Sequence, residues 1–523
     1  MSSAVSRERP ATAGHVFVVH GRMETLVKDA MVVSTDRAFA VEDHWVPALG
    51  GGDTSELKPE GWGREGRVYG RAPGGRQIWF LDVSDSVRSP RTLVDGLRGV
   101  IEAIASSGLH VSAGRALPLV AVPVPGIGGG AFREHAGEVI ADLLAALSDL
   151  VAELAVDVVI VATTRAQFAA IQRERRVTQS FPLSCELTEK AEAIGTAAAS
   201  GRLSLFLGAG VSIPAGLPSW ADLVEEMRQV AVADGAQLPA EGFDALGVLD
   251  QTELLRGLLG DRLETLVAQR FADATPALSH ALLASLRCRE AVTTNYDGCY
   301  ETAVTAQDPQ ATIAVMPWQK PLPGRPWLLK LHGDARRPES VVLTRGQFLG
   351  YDSHWRPVGS LFQSLLMTRE LLVVGASLTD DNVLRLAHEV RALRQRHDLH
   401  DPLGHVLALG PQPLRARLWA GELEWVSMEG DTGEEQARQL EIFLDAVVAH
   451  ASHSAPYLLH PYYGDLLNDD EESDLAERAR ELAARIETAV TTGAVRQHAG
   501  WAELLAALRA HGAHLEAGPE ARL

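Results

Sequence analysis

The stretch LSLFLGAGVSIPAGLPSW, residues 203–220, decides how the rest of this 523-residue chain reads. Leu203, Leu205, Phe206 and Leu207 form a short apolar run bounded by turn residues, the pattern of a buried strand. Gly208, Ala209 and Gly210 come at once after it, then Val211 and Ser212. A strand that empties into such small residues lets a ligand lie against bare backbone. Amides of the turn and of the next helix N-terminus can then face phosphate oxygens. Many tight turns contain GxG, so the motif acquires meaning only from the segments downstream of it in the chain.

Three later segments repeat the plan. Residues 291–297 (AVTTNYD), 328–334 (LLKLHGD) and 371–377 (LLVVGAS) each read as a buried strand ending in polar or small residues. In an open parallel sheet, ligands bind outside the carboxyl ends of the strands. Strands expected at 405–409 and 424–428 extend the same sheet, and a helix is expected from about residue 378, N-capped by Thr379 or Asp380. Residues 243–289 read as a helical block, with helical spacing in ELLRGLLGDRLETLVAQRF and ALSHALLASL.

Upstream, residues 15–20, 30–34, 77–83, 119–124 and 158–162 read as strands, and the stripe Ile140, Leu143, Leu144, Leu147, Val151, Leu154 as an amphipathic helix. Alternation of strands and helices predicts a second α/β layer domain. Residues 47–75 are rich in glycine and read as loops. The RERR run, residues 173–176, reads as a solvated face or linker. The chain therefore divides into a tail (1–14), a first domain (15–176), a linker (177–188), a second domain (189–454) and a small helical C-terminal appendage (455–523) suited to packing or self-association.

Composition narrows the function. Hydrophobic residues make up 46% and charged residues 22%, the balance of a globular protein. A formal net charge of −20 argues against wrapping nucleic acid, which needs clustered Lys and Arg. No apolar run reaches the roughly 18 residues of a membrane span. The N-terminus lacks the apolar core of a secretory signal. Three cysteines can form neither a disulfide framework nor a four-cysteine zinc site, which predicts a cytoplasmic protein without a metal.

Within the first domain, Gly21 through Ala30 form a GxxxxLxxDA run, and Pro125-Gly126-Ile127-Gly128-Gly129-Gly130 precedes the long helix. These pieces resemble a macrodomain, a fold that binds ADP-ribose and related nucleotides. The resemblance implies that Asp29 contacts adenine and that Gly126, Gly128, Gly129 and Gly130 wrap a phosphate. The family's asparagines after the strand are replaced by Val33-Ser34-Thr35-Asp36, which favours binding over ADP-ribosyl hydrolysis. A glycine loop that is merely a turn is the plain alternative.

The motifs of the second domain occur in the order found in the sirtuin superfamily, over about 250 residues. That resemblance implies a Rossmann-like NAD-binding fold and cleavage of the bond between nicotinamide and ribose. Gly208, Ala209, Gly210, Val211 and Ser212 would line the pyrophosphate and ribose; Gly375 and Ser377, with Asp380 and Asn382, the phosphates or adenine ribose. Asn295 would hold a ribose hydroxyl or a water, Asp297 the nicotinamide amide, and His332 would act as general base. Taken singly, a histidine after a buried strand is more often structural, and Asn or Asp there often closes a turn.

The paired cysteines of the deacetylases' zinc module are absent, and Ser219-Trp220-Ala221 stands where those enzymes have Asp-Phe-Arg. The sequence is thus similar to sirtuin-like effectors of bacterial anti-phage defence. That implies hydrolysis of NAD to nicotinamide and ADP-ribose in abortive infection. It also implies a homo-oligomer switched by an ADP-ribose-derived ligand on the first domain, or by a phage or system partner protein. A protein deacylase and a non-catalytic NAD or ADP-ribose sensor are the alternatives.

Overall fold

A computed structural model describes residues 13–84, 89–127, 132, 135–308, 312–467, 470–492 and 499–513. The chain builds two sheets, each sandwiched by helices. The first holds β1 (Val16–His20), β2 (Ala30–Thr35), β3 (Tyr69–Arg71), β4 (Ile78–Asp82), β5 (Leu119–Val122) and β6 (Asp157–Ala162), in the order β1-β6-β5-β2-β4-β3. All its pairings are parallel except that of β3 with β4.

The second sheet is entirely parallel. Its strands are β7 (Leu203–Leu207), β8 (Glu290–Thr293), β9 (Ala314–Met316), β10 (Trp327–Lys330), β11 (Glu370–Val374), β12 (Gly404–Leu409) and β13 (Leu423–Met428), in the order β13-β12-β11-β7-β8-β10-β9. From β7 the chain builds outward through β8 and β10, then returns to add β11 on the other side of β7. The order therefore reverses between β7 and β11, which opens a crevice at their carboxyl ends. β7 is buried along its whole length and β11 along all but its first residue, so both read as continuous apolar runs.

The two sheets share one apolar cluster, which runs from Val16 to Leu466. Its keystone is the helix Gly433–Ala451. Leu440, Phe443, Leu444 and Val447 bury its apolar side. Gly195 of the helix Cys185–Ala199 lies so close that a Cβ there would meet His450 Cβ at 2.5 Å. On the same helix as His450, Arg438, Glu441 and Asp445 reach the first domain. Asp445 takes both terminal nitrogens of Arg175, at 2.9 and 2.5 Å, and His15 Nε2 at 2.8 Å. Glu441 pairs with Arg115 at 2.7 Å, and Arg438 and Arg115 converge on Asp157 at 2.7 and 3.1 Å. Burial by itself would raise the Asp445 carboxyl, but Arg175 and His15 outweigh it and hold it below its usual range.

Several expectations are corrected here. Arg175, expected on a solvated linker, is fully buried. The helix Arg165–Thr178 runs through the RERR segment, and the next helix starts at Cys185, so the connection is shorter than residues 177–188. Ala13 and Gly14, expected in the tail, are anchored: Gly14 N–H donates to Val151 O at 2.7 Å and Ala13 O accepts from Arg438. β3 lies in the stretch expected as loops. Asp29 sits at the amino end of β2, where its carboxylate accepts from Ser112 N, Ser112 Oγ and Leu119 N. Gly126 comes after the carboxyl end of β5, so the two parts of the expected nucleotide site face opposite edges of the sheet. Gly128, Gly129 and Gly130 lie outside the described residues. The C-terminal helices Asp470–Thr491 and Ala499–Ala510 have an apolar cluster of their own. The turn before them docks on the first domain, where Glu138 N–H donates to Asp465 at 3.0 Å. No helix among the described residues is long and apolar enough to cross a membrane.

Candidate active site

The crevice at the β7–β11 reversal opens into a cavity of about 480 Å³. All four expected segments line it: Gly208, Ala209 and Ser212 after β7, Asn295 and Asp297 after β8, His332 after β10, and Gly375, Ser377 and Asp380 after β11. One wall is apolar, formed by Trp220, Leu223, Phe271, Tyr296 and Phe348. The floor is polar and buried, with Ser212, Asp297 and His332 each 3–5% exposed. Ala209, Ser377 and Thr379 lie at the rim.

The two glycine turns pack back to back. Gly210 N–H donates to Gly375 O at 2.9 Å, and a Cβ on Gly208 would stand 2.5 Å from the same oxygen. Gly375 itself has φ +67° and would drive a Cβ into the backbone nitrogen of Val211. These glycines are required because two strand ends touch there. Gly210 and Val211, expected to line the ligand, turn away from the large cavity toward a small one between the domains.

Ser212 is the hub of the floor. Asn295 Nδ2 donates to Gly208 O at 3.0 Å and to Ser212 Oγ at 3.2 Å. Ser212 Oγ in turn donates to Asp297 Oδ2 at 2.9 Å. His280 Nδ1 accepts from Ala277 N–H at 3.1 Å, which assigns its proton to Nε2, 3.3 Å from Ser212 Oγ. Asn295 thereby has its amide nitrogen fixed to protein, and its Oδ1 remains as the acceptor of a residue lining the cavity. The Asp297 carboxylate is held on both sides, since Oδ1 accepts from Cys299 N at 3.0 Å.

His280, Asp297 and Cys299 bring ligand-type atoms within 4.8 Å of one another. Burial pushes the Cys299 thiol up, and Asp297 pushes it further, so it stays protonated. His280 is lowered to about 4 by burial, which keeps it neutral. Within this cluster His280 and Asp297 both meet Ser212 Oγ.

His332 stands against Phe348 and Tyr351, with ring centroids 5.2 and 6.3 Å away. Its Nε2 lies 3.4 Å from Asp380 Oδ2. Burial lowers its pKa and Asp380 raises it by less, so the imidazole is neutral near pH 7 and able to take a proton. Asp380 also caps the helix Asp381–Arg396 through Val383 N–H at 2.9 Å. Asp380, expected to bind cofactor, thus faces the histidine, and the helix N-terminus it caps faces the crevice with its partial positive charge.

Sequence reasoning left Lys330 without a role. Its ammonium is fully buried, 2.8 Å from Asp334 and 3.0 Å from Glu301, and it donates to the carbonyls of Tyr296 and Asp297 at 3.3 and 2.5 Å. It ties the Asn295 loop to the His332 loop. A lysine inside an apolar strand was the available signal, because a buried charge must be paired. The apolar wall left no such mark, since Trp220 and Phe271 read as ordinary core residues.

A buried parallel sheet, a strand reversal and a glycine-turned crevice with a neutral amide and histidine on its floor define a Rossmann-like α/β domain. More specifically, residues 289–423 match the family model of the SIR2-like domain. The chain is 25% identical over 231 residues to defense-associated sirtuin 2 of Bacillus subtilis, covering 41% of this chain and 21% of that protein. It is 28% identical over 195 residues to the NAD(+) hydrolase ThsA of Acinetobacter baumannii, covering 36% and 39%. With the NAD(+) hydrolase ThsA of Bacillus cereus the identity is 27% over 200 residues, covering 37% and 40%. The chain thus spans from about a fifth to two fifths of the length of these relatives.

Proposed function

We propose that this protein hydrolyses NAD to nicotinamide and ADP-ribose as an effector of bacterial defence against phage. The observation that carries the proposal is the convergence of Asn295, His332 and the two glycine turns on one crevice. The names of the relatives, two of them NAD(+) hydrolases and one a defence-associated sirtuin, point the same way.

Cationic nicotinamide is a good leaving group. As the bond between its ring nitrogen and ribose C1′ breaks, the electron pair neutralises the ring and C1′ becomes oxocarbenium-like. Water then adds to C1′ and gives up a proton. Asn295 Oδ1 is suited to accept from a ribose hydroxyl or from that water, and neutral His332 to take the proton. The Asp381–Arg396 helix N-terminus and the rim hydroxyls of Ser377 and Thr379 are suited to the phosphates. Ser212, Asp297 and His280 hold Asn295 in place.

Control of a toxic hydrolase would run through the first domain, which the helix Gly433–Ala451 fastens to the catalytic sheet by buried ion pairs. Nicotinamide release by the full chain tests the activity, with and without acetylated peptide and with extract from infected cells as trigger. Asn295→Ala and His332→Ala should each lower the rate by ~10²–10⁴-fold. Turnover only with peptide would make the protein a deacylase. NAD binding without turnover under every trigger would make it a sensor.

A further inference from the structure

A third cavity, of about 420 Å³, also lies between the domains. His20, at the carboxyl end of β1, and Arg165, just beyond β6, face it from the first sheet. Arg287 and Arg289, which precede β8, and Arg369, which precedes β11, face it from the second. It is remote from the NAD crevice, because Asn295 and Gly375 come after the strands that these arginines precede.

Four arginines line this one cavity; Arg165, Arg287 and Arg289 are exposed to solvent, and Arg369 is half-buried. Arg369 Nη2 reaches Glu290 at 3.2 Å, and its Nε is buried without a partner. The side chains of Arg165, Arg287 and Arg289 make no hydrogen bond or ion pair among the described residues. Arg287 is lowered to about 10, by burial first and then by Arg165, with Asp308 as the acidic neighbour that offsets it. Arg287 also has φ +56°, in the left-handed region where a glycine ordinarily ends a helix. Its N–H closes that turn on Ala284 O, so the strained residue is built into the end of the helix Leu278–Ser285.

A fifth group marks the interior of the cavity. His20 is 3% exposed and stacked on Phe168 at 5.8 Å, and its Nε2 has no hydrogen-bond partner. Burial, then Arg287 and Arg165, lower it to about 3, so it is neutral and adds no further positive charge. A buried polar atom without a partner ordinarily has a water or a ligand to satisfy it.

We propose that this interdomain cavity binds a phosphate-bearing small molecule, with Arg165, Arg287 and Arg289 pairing its oxygens and His20 Nε2 making one hydrogen bond to it. Guanidinium forks match phosphate geometry. The volume suits a molecule of nucleotide size. The bound anion would bridge the two sheets, since its partners come from both. The site stands whether or not the larger crevice cleaves NAD.

Inorganic pyrophosphate and ADP-ribose, titrated into the full chain at constant ionic strength, test it by calorimetry and thermal shift. Both should bind and raise Tm. Arg165→Glu should weaken binding by at least ~10-fold, the size of one lost charge-assisted hydrogen bond. Ser377→Ala combined with Thr379→Ala, at the rim where the crevice would take phosphates, should leave pyrophosphate binding intact, which separates this site from the crevice. Arg287→Gly is the control for folding. It should raise the ligand-free Tm, by relieving the left-handed arginine and its repulsion from Arg165, and still weaken binding. Pyrophosphate binding that persists in both arginine variants, or none at millimolar concentration, overturns the proposal. Preference for ADP-ribose over pyrophosphate identifies a nucleotide ligand; equal affinity identifies a simple phosphate site.

Discussion

His332 and Asp380 show how one residue fills two roles. Asp380 caps a helix with one oxygen and faces the imidazole with the other. Asn at the same position would keep the cap, because Asn and Asp rank together as N-caps. It would remove the charge that raises the His332 pKa against burial. Asp380→Asn should therefore move the acid limb of the kcat/KM profile for nicotinamide release to lower pH, with Tm little changed. An unmoved limb would mean that His332 is not the titrating base. Asp297 shows the opposite case. The family resemblance implies contact with nicotinamide; in the structure each of its oxygens also holds a protein group, Ser212 Oγ and Cys299 N–H. Which side of a carboxylate meets ligand depends on atoms brought from elsewhere in the chain.

At the scale of elements, the site is a set of strand ends held in register. β8 and β10 pair in parallel, with Lys330 opposite Thr293, so the Asn295 and His332 loops leave the sheet side by side. Lys330 then binds the carbonyls of one loop and the carboxylate of the other. Lys330→Met fills a similar volume but strands Glu301 and Asp334 without their cation. The expected loss of stability is about 3–5 kcal/mol in chemical denaturation, the usual consequence of removing one member of a buried ion pair. NAD turnover should fall further than the folded fraction does, because the two loops lose their tie; a loss matching the unfolded fraction alone would make Lys330 purely structural. Much of this level was legible in the sequence. The strands at 203–207 and 371–374 announce themselves as apolar runs, and an N-cap at Thr379 or Asp380 was readable from its place before a periodic stripe. β3 and β9, at three residues each, were not, because such short strands carry no period.

For the whole molecule, the helix Gly433–Ala451 decides the relation of the two sheets. Arg175, Asp445, His15 and Asp157 are all fully buried, and each is charged or polar. A surface ion pair contributes little, but truncating one partner of a buried network leaves the others without solvent or counter-charge. Asp445→Ala should destabilise the protein by about 3–5 kcal/mol. It should also increase proteolysis between residues 178 and 185, the short connection behind that lock. A change within ~0.5 kcal/mol, the ordinary range for surface substitutions, would mean that the sheets are held by apolar contact alone. Nothing in the sequence paired position 175 with position 445. The RERR run looked solvated because four polar residues in a row ordinarily are.

Local order was written in the chain itself: the α/β class, the course of the second sheet, and the residues that gather at its strand ends. Strand burial, glycine turns and helix caps depend on neighbours a few residues apart, and those neighbours are visible in any reading. What the tertiary structure decided was orientation and partnership. It sent Asp29 to the far edge of its sheet, turned Gly210 away from the crevice, buried Arg175, and gathered Arg165, Arg287, Arg289 and Arg369 around one cavity. Each of these turns on charges and backbone atoms separated by tens to hundreds of residues. Their mutual distance, and with it whether a charge is solvated, paired or left waiting for an anion, exists only once the chain has closed on itself.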